Sequence, residues 1–207
     1  MIIHNVEQNT EEWMELRAGK PTASSFAKLV TSKGEPSKSM PEYAIQLAAD
    51  LYAGVAGLDQ WRGNASTERG HEMEDRARAY YENSFPERSV ERVGFITDDD
   101  ETCGCSPDSL VDDDGVLEIK CQEAKGHIAT LLYYKKHSHQ TSVHVAQPQG
   151  QILIAERNWC DLLYWHPELP ALLIRCDPDE KIIVNLRLQI ASCIDERDRV
   201  IDVLNEF

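Results

Sequence analysis

Positive charge is what this sequence is short of. Its 207 residues carry 21 Lys and Arg against 36 Asp and Glu, a formal net charge of −15 at pH 7. Such a balance argues against a surface built to lie along nucleic acid, because every phosphate contact needs a Lys or Arg in place of a counterion. Also absent is any apolar run approaching the ~20 residues of a membrane helix. The opening segment MIIHNVEQNT has no basic stretch leading into an apolar one. Neither export nor membrane insertion is expected, and the predicted compartment is the cytoplasm. Cysteine lacks metal spacing: Cys103 and Cys105 are separated by one glycine, and Cys121, Cys160, Cys176 and Cys193 form no second pair. All are read as reduced, mostly buried thiols. There is no repeat and no low-complexity segment, and 42% apolar content over this length predicts one globular domain spanning 1–207.

The scarcity of bases is uneven. Residues 98–114 hold eight acids and no base, whereas residues 1–40 balance five bases against five acids. Residues 120–144 carry four lysines and four histidines against one glutamate. An acidic exterior around locally basic walls is compatible with a channel for a polyanion, although composition alone does not predict one.

The most informative stretch is CSPDSLVDDDGVLEIKC, from Cys105 to Cys121. Along VLEIKC, Val116, Glu118 and Lys120 fall on one face of a strand and Leu117, Ile119 and Cys121 on the other. The acids and glycine of residues 112–115 are turn chemistry, so Asp108 and Glu118 are expected at facing positions of a hairpin. Two carboxylates so placed offer hard oxygen ligands to Mg2+ or Mn2+, with Lys120 beside them to orient or deprotonate a metal-bound water. That is the equipment of a phosphodiester-cutting site. An exposed acidic hairpin with a lysine lying across it is the alternative that these residues alone leave open.

Ahead of this run, Asn9 or Thr10 caps a helix over TEEWMELRAG, with Trp13 and Leu16 turned inward and Gly19 as its stop. Arg17 near its end reads as a favourable charge at a helix C-terminus. Ser24 opens a second helix, SSFAKLV, whose amides and hydroxyls either cap it or hold a phosphate. Residues 31–41, rich in Gly, Ser, Pro and Lys, predict a mobile loop, followed by a helix with Ala44, Leu47, Ala48 and Leu51 at helical spacing. Residues 57–66 read as a connector. A long helix from 67 to about 83 presents Met73, Ala77, Tyr80 and Tyr81 as its apolar stripe, with Glu74 beside it. Short strands around 89–97 and 102–106 lead into the hairpin. Helices are expected over 123–135 and 143–157, the second with Pro148 in its first turns. Then come two interior strands, WCDLLYWH and ALLIRCD, and a long terminal helix carrying Leu186, Ile190, Ile194, Val200 and Leu204. This order indicates an α/β fold, a central mixed sheet flanked by helices on both faces.

Taken together, Trp13-x3-Arg17, Thr22-Ala-Ser24, Gly70-x3-Glu74, Ser106-Pro-Asp108, Glu118-x-Lys120 and Ala146-Gln147-x-Gln149 resemble the phage lambda exonuclease (YqaJ-type) branch of the PD-(D/E)xK nucleases. The motifs run in order from about residue 9 to 156. The resemblance implies a restriction-endonuclease-like core and a 5′ to 3′ exonuclease acting on ends of double-stranded DNA. Asp108, Glu118, Glu74 and the carbonyl of Ile119 would hold metal, with Lys120 assisting the attacking water. Of the two glutamines, Gln149 is expected near the water and scissile phosphate, with Gln147 as the second candidate. Arg17, Ser24 and Ser106 would bind a 5′-terminal phosphate.

The resemblance further implies two Mg2+ ions per site, with Mn2+ as substitute, clamping the attacking and leaving oxygens. It also implies a homotrimeric ring and a single-strand annealing protein as partner. An endonuclease of the same superfamily and a non-catalytic DNA-end-binding module are the rival readings. Ala18 departs from the family, whose members can carry at this place a larger apolar residue that wedges into the duplex end. The lysine-bearing loop with Lys33 and Lys38 aligns poorly.

Overall fold

A computed structural model of the chain describes residues 1–54, 56 and 65–207, the side chains of 65–71 excepted. In chain order the strands are β1 (Ile2–His4), β2 (Val90–Glu91), β3 (Phe95–Thr97), β4 (Gly104–Cys105), β5 (Ser109–Val111), β6 (Gly115–Cys121), β7 (Trp159–His166) and β8 (Leu169–Cys176). The α-helices are α1 (Glu11–Arg17), α2 (Met40–Ala53), α3 (Ala65–Ser84), α4 (Ala124–His137), α5 (Ala146–Ile154) and α6 (Glu180–Leu204). The expected connector at 57–66 lies outside the described residues up to residue 64.

β6 and β7 pair in parallel at the middle of a five-stranded sheet ordered β2-β5-β6-β7-β8. The other neighbours pair antiparallel, so the sheet is mixed, as the sequence indicates. A smaller sheet, β1-β3-β4, joins the segment after α1 through a bridge between Thr22 and Gly104.

The two-residue period of β6 divides the core. Val116, Cys160, Leu162, Tyr164 and Ile174 face one side, against Phe26 of the short 3-10 helix Ala23–Lys28, Ile152 of α5 and Leu186 of α6. Leu117, Ile119, Leu163 and Trp165 face the other, against Ala77 and Tyr81 of α3. Helices therefore cover both faces, and burying a large apolar side chain in either layer stabilises the fold by about 1.5–3 kcal/mol.

Several local expectations differ. In α1 the buried residue is Met14, with Leu16 only half-buried, because α1 rests on the smaller sheet along a narrow stripe. Leu51 and Tyr80 are exposed, each at the edge of an apolar stripe wider than the surface it meets. The expected mobile loop at 31–41 is instead a closed turn up to Ser37, held by Val30 pairing with Pro36 and by backbone bonds from Thr31 to Glu35 and Ser37 to Leu29, and its last two residues already belong to α2. β7 is interior as expected, but β8 is the edge of the sheet. All six cysteines are free and five are buried.

One charged group lies deep in this architecture. Asp161 of β7 is 1% exposed and accepts from the Tyr81 hydroxyl at 2.6 Å, Arg88 at 2.7 Å and Arg175 at 2.5 Å. Arg175 stands directly across the β7–β8 ladder from Asp161, and its guanidinium lies 3.6 Å over the Trp159 ring. A buried carboxylate with this many donors persists because each lone pair is used. Removing it strands two guanidiniums and a phenol. Asp161→Ala is expected to cost about 3 kcal/mol, lowering Tm by about 6–12 °C in a chain of this size, measured by thermal unfolding; an unchanged Tm would contradict this account.

Candidate active site

The site starts at the β5–β6 hairpin. Its tip places Asp112 in the left-handed region at φ 50°, and Gly115 follows where a Cβ would collide with the Trp159 ring. Ser109 pairs with Leu117, which brings Asp108 level with the middle of β6. There the Asp108 carboxylate accepts the Ile119 N–H at 2.5 Å. Alternation along β6 then turns Glu118 and Lys120 into the same space, as the sequence pattern predicts.

Glu118 is 4% exposed and accepts three hydrogen bonds. Its Oε1 accepts from Lys120 Nζ at 2.6 Å and from Gln147 Nε2 at 2.6 Å, while Oε2 accepts from Gln151. Lys120 also donates to Gln147 Oε1 at 3.0 Å, closing a three-membered polar ring. Burial alone lowers the affinity of Lys120 for its proton, but Glu118 and then Asp108 outweigh it and hold the group above its usual range. In this arrangement Lys120 is an ammonium donor, not a base.

Asp108 shows the opposite stress. Burial, then the negative charges of Glu118 and Glu74, raise its carboxyl well above the usual carboxylate range, opposed by the Ile119 N–H and by Lys120. Glu74, from α3, lines the same cleft of about 210 Å3 as Asp108, Glu118, Ile119 and Lys120. Three like charges brought together in this way are what a divalent cation neutralises. Among the described residues no three His, Cys, Asp or Glu side chains close into a metal cage. An open site still fits Mg2+, which keeps several waters and uses one or two carboxylates together with substrate phosphate.

Arg17, Ser24 and Ser106 line the same cleft. The Arg17 guanidinium lies 4.0 Å over the Trp13 ring and donates to Thr22 Oγ1 at 3.2 Å and Ser106 Oγ at 3.5 Å. Trp13 Nε1 donates to Ser106 at 2.9 Å, and the hydroxyls of Thr22 and Ser24 are 3.4 Å apart. Among the described residues no carboxylate forms an ion pair with Arg17. Burial pulls its pKa down to about 10, with Tyr43, Cys105 and Asp50 opposing. It is therefore a charged group, partly stripped of water, surrounded by hydroxyls, and its missing counterpart is an anion.

One assignment is corrected. Gln149 does not face the site: its Nε2 donates to the Asp177 carbonyl at 2.8 Å and its Oε1 accepts from the Asp179 N–H at 2.7 Å, at the start of α6. The helical period explains this. Residues four apart share a face of α5 and residues two apart do not, so Gln147 and Gln151 both reach Glu118 while Gln149 turns away. Gln151 is absent from the residues that the sequence singles out, although its spacing from Gln147 carries the signal. His144, just before α5, is outside the lining of the cleft; its Nδ1 lies 2.7 Å from the Tyr164 hydroxyl, and burial with the nearby Lys120 charge lowers its pKa to about 4. Ala18 is buried at the end of α1, so it presents nothing to a duplex end.

Known proteins share this fold. The structure matches an alkaline exonuclease, LHK-Exo from Laribacter hongkongensis, at a TM-score of 0.80 and 30% identity, covering 95% of this chain and 97% of that one. LHK-Exo in complex with dAMP matches at a TM-score of 0.79 and 29% identity over 95% and 97% of the two chains. A phage-related exonuclease from Haemophilus somnus 129PT shares the fold at a TM-score of 0.68 and 13% identity, covering 89% and 96%. No curated protein matches the sequence. The YqaJ-like viral recombinase domain matches residues 12–158, a span that contains Arg17, Glu74, Asp108, Glu118, Lys120 and both site glutamines, and the chain belongs to that family.

Proposed function

We propose that this chain is a DNA nuclease, a divalent-metal-dependent 5′ to 3′ exonuclease that digests one strand of linear duplex and leaves a 3′ single-stranded overhang. The observation that carries this reading is the shared cleft: an anion-seeking Arg17 and the crowded carboxylates of Glu74, Asp108 and Glu118 open into the same small volume. A terminal phosphate held by Arg17, Ser24 and Ser106 puts the first phosphodiester of the strand beside the carboxylates. Polarity then follows from which end carries the phosphate. The complex of LHK-Exo with dAMP supports a deoxynucleoside 5′-monophosphate as product.

Asp108, Glu118, Glu74 and the Ile119 carbonyl would hold Mg2+, or Mn2+ in its place. When bound, two such ions would supply an activated water and stabilise the leaving 3′ oxygen. The residues do the rest. Lys120, held as an ammonium, orients the water and donates to the charge developing on the phosphate; Gln147 fixes Lys120 and Glu118 relative to each other. The family resemblance further supports a homotrimeric ring and transfer of the overhang to a single-strand annealing protein in the cytoplasm.

The direct test is a terminally labelled linear duplex incubated with and without Mg2+, alongside closed circular duplex. Mononucleotide release from the 5′ end, only with metal and only from the linear form, is expected; cutting of circles would make the protein an endonuclease, and binding without cutting a DNA-end-binding module. Asp108→Ala, Glu118→Ala and Lys120→Ala should each lower digestion by at least about 100-fold in protein that remains folded, and normal digestion by any of them would sink the site.

Arg17→Ala should erase a preference of about 10- to 100-fold for phosphorylated over hydroxyl 5′ ends, the worth of a few charge-assisted hydrogen bonds. Equal loss on both kinds of end would remove that role from Arg17. Gln147→Ala is expected to slow turnover about 10-fold or more with little change in Tm. Gln149→Ala should instead cost about 1–3 kcal/mol of stability and leave turnover intact; the reverse pattern would restore Gln149 to the site.

A further inference from the structure

Helix α3 supplies Glu74, and beyond the Tyr81 hydroxyl that donates to Asp161 of β7, two turns from Glu74, its packing on the sheet is apolar. Ala77 and Tyr81 pack against Leu117, Ile119, Leu163 and Trp165, and such apolar contact tolerates small shifts along the helix axis. Something has to fix where Glu74 stands relative to Asp108. Four residues on from Glu74, and so on the same face one turn later, is Arg78. Its side chain is 9% exposed. Nη2 donates to the Asp108 backbone carbonyl at 3.1 Å, and Nε donates to Ser109 Oγ at 3.0 Å. Ser109, fully buried, donates in turn to the same Asp108 carbonyl at 2.6 Å. The remaining arm, Nη1, donates to Asp75 at 3.0 Å, and Asp75 is held from outside by Arg92 at 2.6 Å. The guanidinium is thus pinned on three sides, between the helix that carries one candidate metal-binding acid and the backbone of another.

We infer that Arg78 is a positioning residue that sets the spacing of Glu74 and Asp108, and through it the affinity of the cleft for a divalent cation. The inference rests on the metal-dependent reading of the site. Arg78 touches neither the cleft's polar ring nor the Arg17 pocket. Its planar fork matters as much as its charge, since a lysine cannot reach the Asp108 carbonyl, Ser109 and Asp75 together.

The test uses the full chain without DNA. Mn2+ binding is followed by electron paramagnetic resonance for wild type, Arg78→Lys and Arg78→Ala, and Tm is recorded for each. Asp161→Asn, which weakens the hold on α3 through Tyr81 and whose side chain hydrogen-bonds no residue of the hairpin, controls for destabilisation. Arg78→Ala is expected to weaken Mn2+ binding about 10-fold or more, Arg78→Lys to recover only part of that, and Asp161→Asn to lower Tm with Mn2+ affinity unchanged. Wild-type affinity in Arg78→Ala, well below its Tm, would overturn the inference while leaving the nuclease reading intact. Equal weakening in Asp161→Asn would reduce Arg78 to a general stabiliser. A wild-type protein that neither binds Mn2+ nor digests DNA would overturn both readings.

Discussion

Three carboxylates, Glu74, Asp108 and Glu118, share one small cleft, and the fold around them is organised to tolerate their mutual repulsion. At Glu118 the repulsion is offset by three donors, from Lys120, Gln147 and Gln151. At Asp108 burial adds to the repulsion of Glu118 and Glu74, the Ile119 N–H and Lys120 offset them only in part, and the carboxyl is held well above the usual carboxylate range. The difference between the two acids is a difference of address. Glu118 lies in the sheet under α5, which brings two glutamines to it; Asp108 lies where the chain enters β5, facing α3 and a second acid. A polar site of this kind is stable only while every group keeps its partners, which ties the chemistry of the cleft to the seating of α3 and α5.

A strongly acidic chain in a family of nucleases is no contradiction once distances are considered. Net charge reports on the long-range field, not on a pocket a few ångströms across. At that scale the cleft presents Arg17, held over Trp13 with hydroxyls around it. Desolvation makes such a guanidinium a stronger partner for an anion than any exposed lysine, because the cost of its burial has already been met by folding. The acidic loop 98–101 serves the fold rather than the cleft. Asp98 caps its own turn through Thr102 and Cys103, and Asp99 pairs with the chain's amino terminus.

The hairpin is legible in the sequence because its constraints are local. A two-residue period, an acidic turn and a following glycine decide the faces of β6 whatever surrounds them, and the division of Leu117 and Ile119 from Val116 follows. Gln149 misleads because its place in the family motif does not say which face of the helix it occupies, and the helix around Pro148 brings residues four apart together. β8 reads as interior from its apolar content, but edge position is a property of the whole sheet and leaves no mark on eight residues. Arg78 is invisible for a related reason: on an amphipathic helix rich in Arg and Glu, nothing local separates the one arginine that crosses to a strand carbonyl from those that remain in water.

The hydrogen bonds at Glu118 also limit how the site can accept a cation. An ionised carboxylate offers about four lone-pair positions, and Glu118 already uses two at Oε1 and one at Oε2. One position remains at Oε2, on the atom shared with Gln151. Glu118 therefore has two courses: to engage a cation through that single position with the ring intact, or to release Lys120 and turn Oε1 outward. The second course would leave Lys120 tied to Gln147 through the amide carbonyl alone. Gln147 contacts both members of the pair, donating to Glu118 and accepting from Lys120, so loss of either contact is felt at the other.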